Sequence, residues 1–194
     1  MTKTEADTLT LHRFTVAQYR RLDELGAFND TRVELLEGCI VTKERYTPPH
    51  AVALHRLFDA FRGVPEGWTV RDRAPITLTD SEPEPDLAVV VGETEDYATR
   101  HPAATEVAFV VEMADSTLHS DRVTKGRIYA SAGIPVYWIV NLPERQLEIY
   151  TRPNSAPPPG YRATQLLAAD AFATVNIGPN VIGPIAVADL LPPA

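Results

Sequence analysis

The chain has 194 residues, 44% of them hydrophobic and 23% charged, with a formal net charge of −8. That is one domain's worth of chain with apolar material enough for a core, and it contains no apolar run of about 18 or more residues to span a bilayer. The acidity counts against a protein that grips nucleic acid through a broad basic face, although metal-binding carboxylates contribute negative charge of their own.

Residues 1–11 read as a loose polar tail with no apolar signal-peptide segment, and 12–194 as one domain. The single cysteine, Cys39, can form no internal disulfide, which points to a reducing, cytoplasmic setting. Thr15 caps a predicted helix running to about Gly26, with Val16, Tyr19, Leu22 and Leu25 at helical spacing. Two short apolar runs, residues 32–36 and 39–41, flank Glu37-Gly38 and predict a β-hairpin. A helix is predicted from about His50 to Arg62, with Val52, Leu54, Leu57, Phe58 and Phe61 as its apolar stripe.

Strand-like material follows at 68–71 and 76–78. The segment 81–85, Ser-Glu-Pro-Glu-Pro, cannot easily enter a sheet interior. Residues 86–91 form a predicted buried strand opened by Asp86, and 107–112 a second one closed by Glu112. A helix from about Ser120 to Ala132 stops at Gly133. Further strands are predicted at 136–140 and 146–150, a loop at 153–160, and short β pieces at 161–167 and 181–187. This alternation predicts an α/β (α+β) fold with a mixed sheet flanked by helices.

Chemistry converges on three residues. If the strands of Asp86 and Glu112 are antiparallel neighbours about 4.8 Å apart, their carboxylates share one edge of the sheet and can share a cation. On that reading Asp86, Ala88 and Val90 point to one face, and Ala108, Val110 and Glu112 to the matching face of the partner. A carboxylate on such an apolar face is costly unless solvated, paired or metal-bound. The 107–112 strand, the 120–132 helix and the 136–140 strand read as a crossover unit with parallel strands. That geometry returns Lys125 close to Glu112, with Asp121 and Tyr129 four residues to either side. Two carboxylates, an oxygen-ligated cation such as Mg2+ or Mn2+, and a lysine make a set suited to phosphodiester hydrolysis.

Plain structural readings stand beside these. Asp86 could cap a turn after Pro85, Glu112 could pair with a basic side chain, and Lys125 could be a solvated charge. Ser116 and Thr117 read as caps, and Tyr137 and Trp138 as core and interface residues in preference to base-stacking platforms. Cys39 reads as a buried small hydrophobe.

Pro85-Asp86, followed by Glu112 in an apolar strand, resembles the signature of the PD-(D/E)XK nuclease superfamily. More closely, the chain resembles the Uma-type restriction-endonuclease family within it. The resemblance is carried by Arg32-Val-Glu-Leu-Leu-Glu-Gly38, Pro48-Pro-His50, Glu82-Pro-Glu-Pro-Asp-Leu-Ala-Val89, Val110-Val-Glu-Met-Ala-Asp-Ser-Thr117, Asp121 to Lys125 with Tyr129, and the segment 132–140. It implies a restriction-endonuclease-like fold and a magnesium-dependent nuclease acting on DNA, or less readily on RNA. Asp86 and Glu112 would ligate the metal with Glu34 as a further ligand, Lys125 would join Asp86 and Glu112 in catalysis, and His50 and Asp121 would be accessory. The superfamily places its lysine two residues after the second acid, where this chain has Ala114. An inactive nuclease-fold module that binds nucleic acid or a protein is the alternative. A homodimer, suggested by the apolar 136–140 strand and the C-terminal β pieces, is a third reading.

Overall fold

The computed structural model describes residues 10–43 and 45–193, so the expected tail lies almost wholly outside the described residues. Helix α1, Val16–Glu24, begins with a capping box: the Gln18 N–H donates to Thr15 Oγ1 at 3.2 Å and the Thr15 N–H to Gln18 Oε1 at 2.9 Å. Val16, Tyr19 and Leu22 of the predicted stripe are half-buried, whereas Leu25 is exposed.

Strands β1 (Val33–Leu36) and β2 (Cys39–Thr42) form the predicted hairpin, paired Leu36 to Cys39 across the two-residue turn Glu37-Gly38. Both turn residues have positive φ, +48° and +74°, as a turn matched to strand twist requires. A Cβ on Gly38 would meet Arg13 Cβ at 2.8 Å, so glycine is needed there for space as well as conformation. Cys39 is half-buried, not buried, and its sulfur accepts a hydrogen bond from Arg13.

Helix α2 runs Pro48–Phe61, with both prolines in its first turn, where missing N–H groups cost nothing. Its buried positions are His50, Ala53, Leu54, Leu57 and Phe61. Val52, predicted to face inward, is exposed. Thr47 is the N-cap: its hydroxyl accepts the His50 N–H at 3.4 Å and donates to Asp115 Oδ2 at 3.0 Å. Thr47→Ala removes both bonds and is expected to cost about 1 kcal/mol, measurable as a shift of the urea midpoint at unchanged slope.

The main sheet has six strands in the order β3-β4-β5-β6-β7-β8. These are β3 (Trp68–Asp72), β4 (Leu87–Val91), β5 (Val107–Ala114), β6 (Val136–Asn141), β7 (Gln146–Asn154) and β8 (Gly160–Ala168). Neighbours are antiparallel except β5 and β6, which are parallel, as the crossover reading requires. Two differences follow from residues whose neighbours outweigh local signals. Residues 76–78 form no strand; Thr77 makes one isolated bridge to Ala103. The predicted loop at 153–160 is shorter, because β7 and β8 pair as far as Asn154 and Gly160. A second hairpin, β9 (Phe172–Ile177) and β10 (Asn180–Ala186), lies beyond the sheet, and β9 was not predicted.

Alternate strand residues feed two cores. Leu87, Val89, Phe109, Val111 and Trp138 pack with α2 and the β9–β10 hairpin. Ala88, Val90, Val110, Tyr137 and Ile139 pack on the other face with Ile128 and Tyr129. β6 is interior, and Tyr137 to Val140 are fully buried, so its apolar character serves the core and offers no dimer face.

Candidate functional site: a buried acidic pocket with one lysine

The register of β4 and β5 sets the site. Leu87 pairs with Val111 and Ala88 with Val110, so Asp86, one residue before β4, comes opposite Glu112 on the same face. Asp86 Oδ2 accepts the Met113 N–H at 2.8 Å, continuing the ladder through a side chain. Glu112 does not close its strand as predicted: β5 continues through Met113 and Ala114, which pair with Val140 and Asn141 of β6. A β-bulge at Val89/Val90 moves Ala108 to the opposite core, so it does not share the face of Val110 and Glu112.

The helix after β5 spans 118–131 in three pieces: an α-turn at Leu118–Ser120, a π-helical segment at Asp121–Lys125, and α-helix at Gly126–Ser131. It delivers Lys125 as the crossover reading expects. Lys125 Nζ lies 2.9 Å from Glu112 Oε1 and 3.3 Å from Glu34 Oε1. Tyr129 donates to the same Glu112 Oε1 at 2.6 Å. Glu34 arrives from β1, and its other oxygen accepts the Glu84 N–H at 3.0 Å. Thr117 caps no backbone group with its side chain; its hydroxyl donates to Asp121 Oδ2 at 2.6 Å instead. His50 projects from the first turn of α2, its Nε2 3.6 Å from Asp86 Oδ1 and its ring against Tyr46.

Glu34, His50, Asp86, Glu112, Asp121 and Lys125 line one cavity of about 250 Å³, bounded by the β1–β2 hairpin, residues 45–47 and the 118–131 helix. Glu34, Asp86, Glu112, Asp121 and Lys125 are only 5%, 5%, 4%, 2% and 6% exposed. None of the three named catalytic candidates is therefore a solvated surface charge.

Burial dominates the electrostatics. It pushes Glu112 up to about 8, opposed by Lys125 and reinforced by Asp121, Asp86 and Glu34. It raises Asp121 to about 6, again against Lys125. Burial also acts to raise Asp86, but His50, the Met113 N–H and Lys125 together hold its carboxyl below the usual range. Lys125 loses solvation too, yet Glu112, Glu34 and Asp121 hold its ammonium well above the usual lysine range. The ammonium therefore stays protonated, and the excess negative charge is relieved at the acids, foremost at Glu112.

The donor set fits a hard divalent cation in its chemistry. Four buried carboxyls surround one ammonium, and oxygen ligands of this kind suit magnesium or manganese. Among the described residues the buried His50 Nε2, beside Asp86, has no hydrogen-bond partner, a polar atom suited to a ligand in the cavity. Among the described residues no three His, Cys, Asp or Glu side chains already stand in metal-holding geometry. As placed, Glu34 and Glu112 both turn an oxygen towards the lysine.

The structure thus unites all six predicted site residues: Asp86, Glu112, Lys125, Glu34, His50 and Asp121. Sequence reasoning missed Tyr46, whose hydroxyl lies 3.5 Å from Asp86 Oδ1. It noted Tyr129 for its spacing of four from Lys125 and among the residues that carry the family resemblance, and the spacing was the signal for its contact with Glu112.

The fold defines the class. The chain superposes on the crystal structure of a protein described as a putative nuclease belonging to DUF820 from Anabaena variabilis ATCC 29413, with a TM-score of 0.69 over 91% of this chain and 97% of that one, at 18% identity. The two share a mixed, helix-flanked nuclease fold. Residues 16–182 match the family Uma2, described as putative restriction endonuclease, and the chain belongs to that family. No curated protein matches it by sequence. Among the described residues no helix is long and apolar enough to cross a membrane.

Proposed function

We propose that the protein is a divalent-metal-dependent nuclease of the PD-(D/E)XK type that hydrolyses phosphodiester bonds in DNA. The observation that carries the reading is Asp86 set opposite Glu112 across β4 and β5, with Lys125 brought onto Glu112 by the crossover helix. Asp86 and Glu112, with Glu34 beside them, would hold magnesium or manganese. When bound, the cation supplies Lewis acidity to the scissile phosphate and to a water. Lys125 contributes a fixed positive charge where negative charge develops. Tyr129 orients the Glu112 carboxylate. His50 helps to keep Asp86 ionised, and Asp121, after Glu112 and Glu34, helps to keep Lys125 protonated. The family's description favours DNA over RNA.

The Lys125 ammonium already sits between Glu34 and Glu112. This favours a second reading, a catalytically silent module in which the lysine satisfies the acids permanently. Incubation of supercoiled plasmid and a labelled single strand with Mg2+ or Mn2+ decides between them. Metal-dependent cutting that stops on chelation is the expected result. No cutting of either substrate with either metal gives the protein over to the second reading.

A further inference from the structure

The 118–131 helix carries Asp121, Lys125 and Tyr129 at successive steps of four. In a regular α-helix each such step overshoots a full turn by about 40°, so the three side chains would fan out around the axis. The segment Asp121–Lys125 is π-helical instead. Its wider turn takes back that drift between Asp121 and Lys125, and one α-helical step further on Tyr129 reaches the same oxygen as Lys125, Glu112 Oε1. A π turn is rare and persists where its surroundings hold it.

The strongest hold comes from the other side of the helix. Arg122, inside the π turn, points away from the pocket to Glu148 on β7. Glu148 is 1% exposed, and its carboxylate accepts from Arg122 Nε at 3.0 and 3.2 Å and Nη2 at 2.5 Å. Asn141 Nδ2 at 2.7 Å, the Tyr150 hydroxyl at 2.6 Å and Gln146 Nε2 at 3.5 Å also donate to it. A buried carboxylate is costly unless satisfied in this way. Glu148 stands opposite Ile139 in the β6–β7 ladder, on the face the helix covers. The Tyr137 hydroxyl, donating to the Asp121 carbonyl at 3.1 Å, ties the first residue of the same turn to the same sheet.

We propose that Glu148 is a positioning residue: by forking Arg122 onto the sheet it fixes the π turn, and through it the place of the Lys125 ammonium in the pocket. The inference rests on Lys125 being a site residue. It assigns a function to a charge pair, the buried Glu148 and the exposed Arg122, that lies outside the pocket lining.

The test compares wild type with Glu148→Gln, which keeps the side-chain shape but loses the charge. Arg122→Lys, which keeps the charge but loses the fork, serves if the first variant fails to fold. Glu144→Gln is the control, since it removes only the exposed partner of Arg122. Nitrogen-15 NMR follows the Lys125 ammonium, and amide hydrogen exchange follows the helix and strands. In Glu148→Gln the Lys125 signal is expected to move or broaden. The 122–126 amides are expected to exchange at least about tenfold faster relative to those of β5 and β6, because the opening is local. Metal-dependent cutting is expected to fall at least about tenfold in kcat with little change in KM, as a misplaced catalytic group gives. Acceleration spread evenly over sheet and helix, with the Lys125 signal unmoved, would overturn the proposal and leave Glu148 a general stability residue. If wild type cuts nothing, the nuclease reading falls alone, and the spectra still decide what Glu148 does.

Discussion

Lys125→Ala is expected to lower the free energy of unfolding by about 3–5 kcal/mol near pH 9, the cost of breaking a buried ion pair by removing one partner. The variant leaves Glu112, Glu34 and Asp121 buried without their shared cation. The loss depends on pH with a definite sign. A carboxyl whose folded pKa is raised binds its proton more readily in the folded state, so stability falls as pH rises from the unfolded value towards the folded one. Glu112 at about 8 and Asp121 at about 6 already lie on that side. Removing the ammonium moves both further, because Lys125 is the largest influence lowering each. The deficit is therefore expected to be small near pH 5, where Glu112 and Asp121 are protonated, to grow above about pH 6 as Asp121 ionises in wild type, and to be largest near pH 9, above the value of about 8 for Glu112. Lys125→Met with Glu112→Leu removes both charges while filling the space, and is expected to recover much of the loss. Urea denaturation of the three proteins at both pH values measures this. A Lys125→Ala protein within about 1 kcal/mol of wild type at pH 9 is typical of an exposed charge, and would show that the ammonium is not the buried partner of these acids.

The legible part of this site was the part written in strand periodicity. An unbroken apolar run after Asp86, and another up to Glu112, identify buried strands whatever their neighbours are. A crossover helix between two such runs then returns Lys125 near the second acid, and Gly133, at φ +77°, marks where that helix stops. What resisted reading depends on partners distant in sequence. The end of β5 is set by Val140 and Asn141, which extend the ladder past Glu112. The displacement of Ala108 comes from a bulge that only the β4–β5 register reveals. The inward turn of Ala53 in place of Val52 follows from where α2 meets the sheet. The π segment has no composition of its own: Asp-Arg-Val-Thr-Lys would serve equally in an α-helix, and its cause lies in Glu148 and Tyr137, on strands that follow. Glu148, in turn, reads locally as the polar residue of an alternating strand. Its burial shows only once β8 and the helix close over β7.

The second large effect concerns the two acids. Asp86→Asn is expected to weaken Mg2+ and Mn2+ binding by at least about 100-fold, the upper end of what even a supporting residue costs a metal site, and to abolish cutting with it. Asparagine is the informative substitution because its carbonyl can still accept the Met113 N–H that Asp86 Oδ2 accepts at 2.8 Å. The strand end is then kept while the charge is lost, and a lost affinity cannot be put down to a disordered β4–β5 edge. Glu112→Gln is expected to weaken binding likewise, but with a different background. Its carboxyl is raised to about 8, so near neutral pH a cation must displace a proton to reach it. Calorimetry of Mn2+ binding in two buffers of different ionisation heat separates the cases. Wild type is expected to release protons on binding, and Glu112→Gln to release fewer. Unchanged affinity in Asp86→Asn would remove Asp86 from the cation site. Unchanged proton release in Glu112→Gln would remove Glu112 from it, and the two results together would leave the buried acids with Lys125 as their only cation.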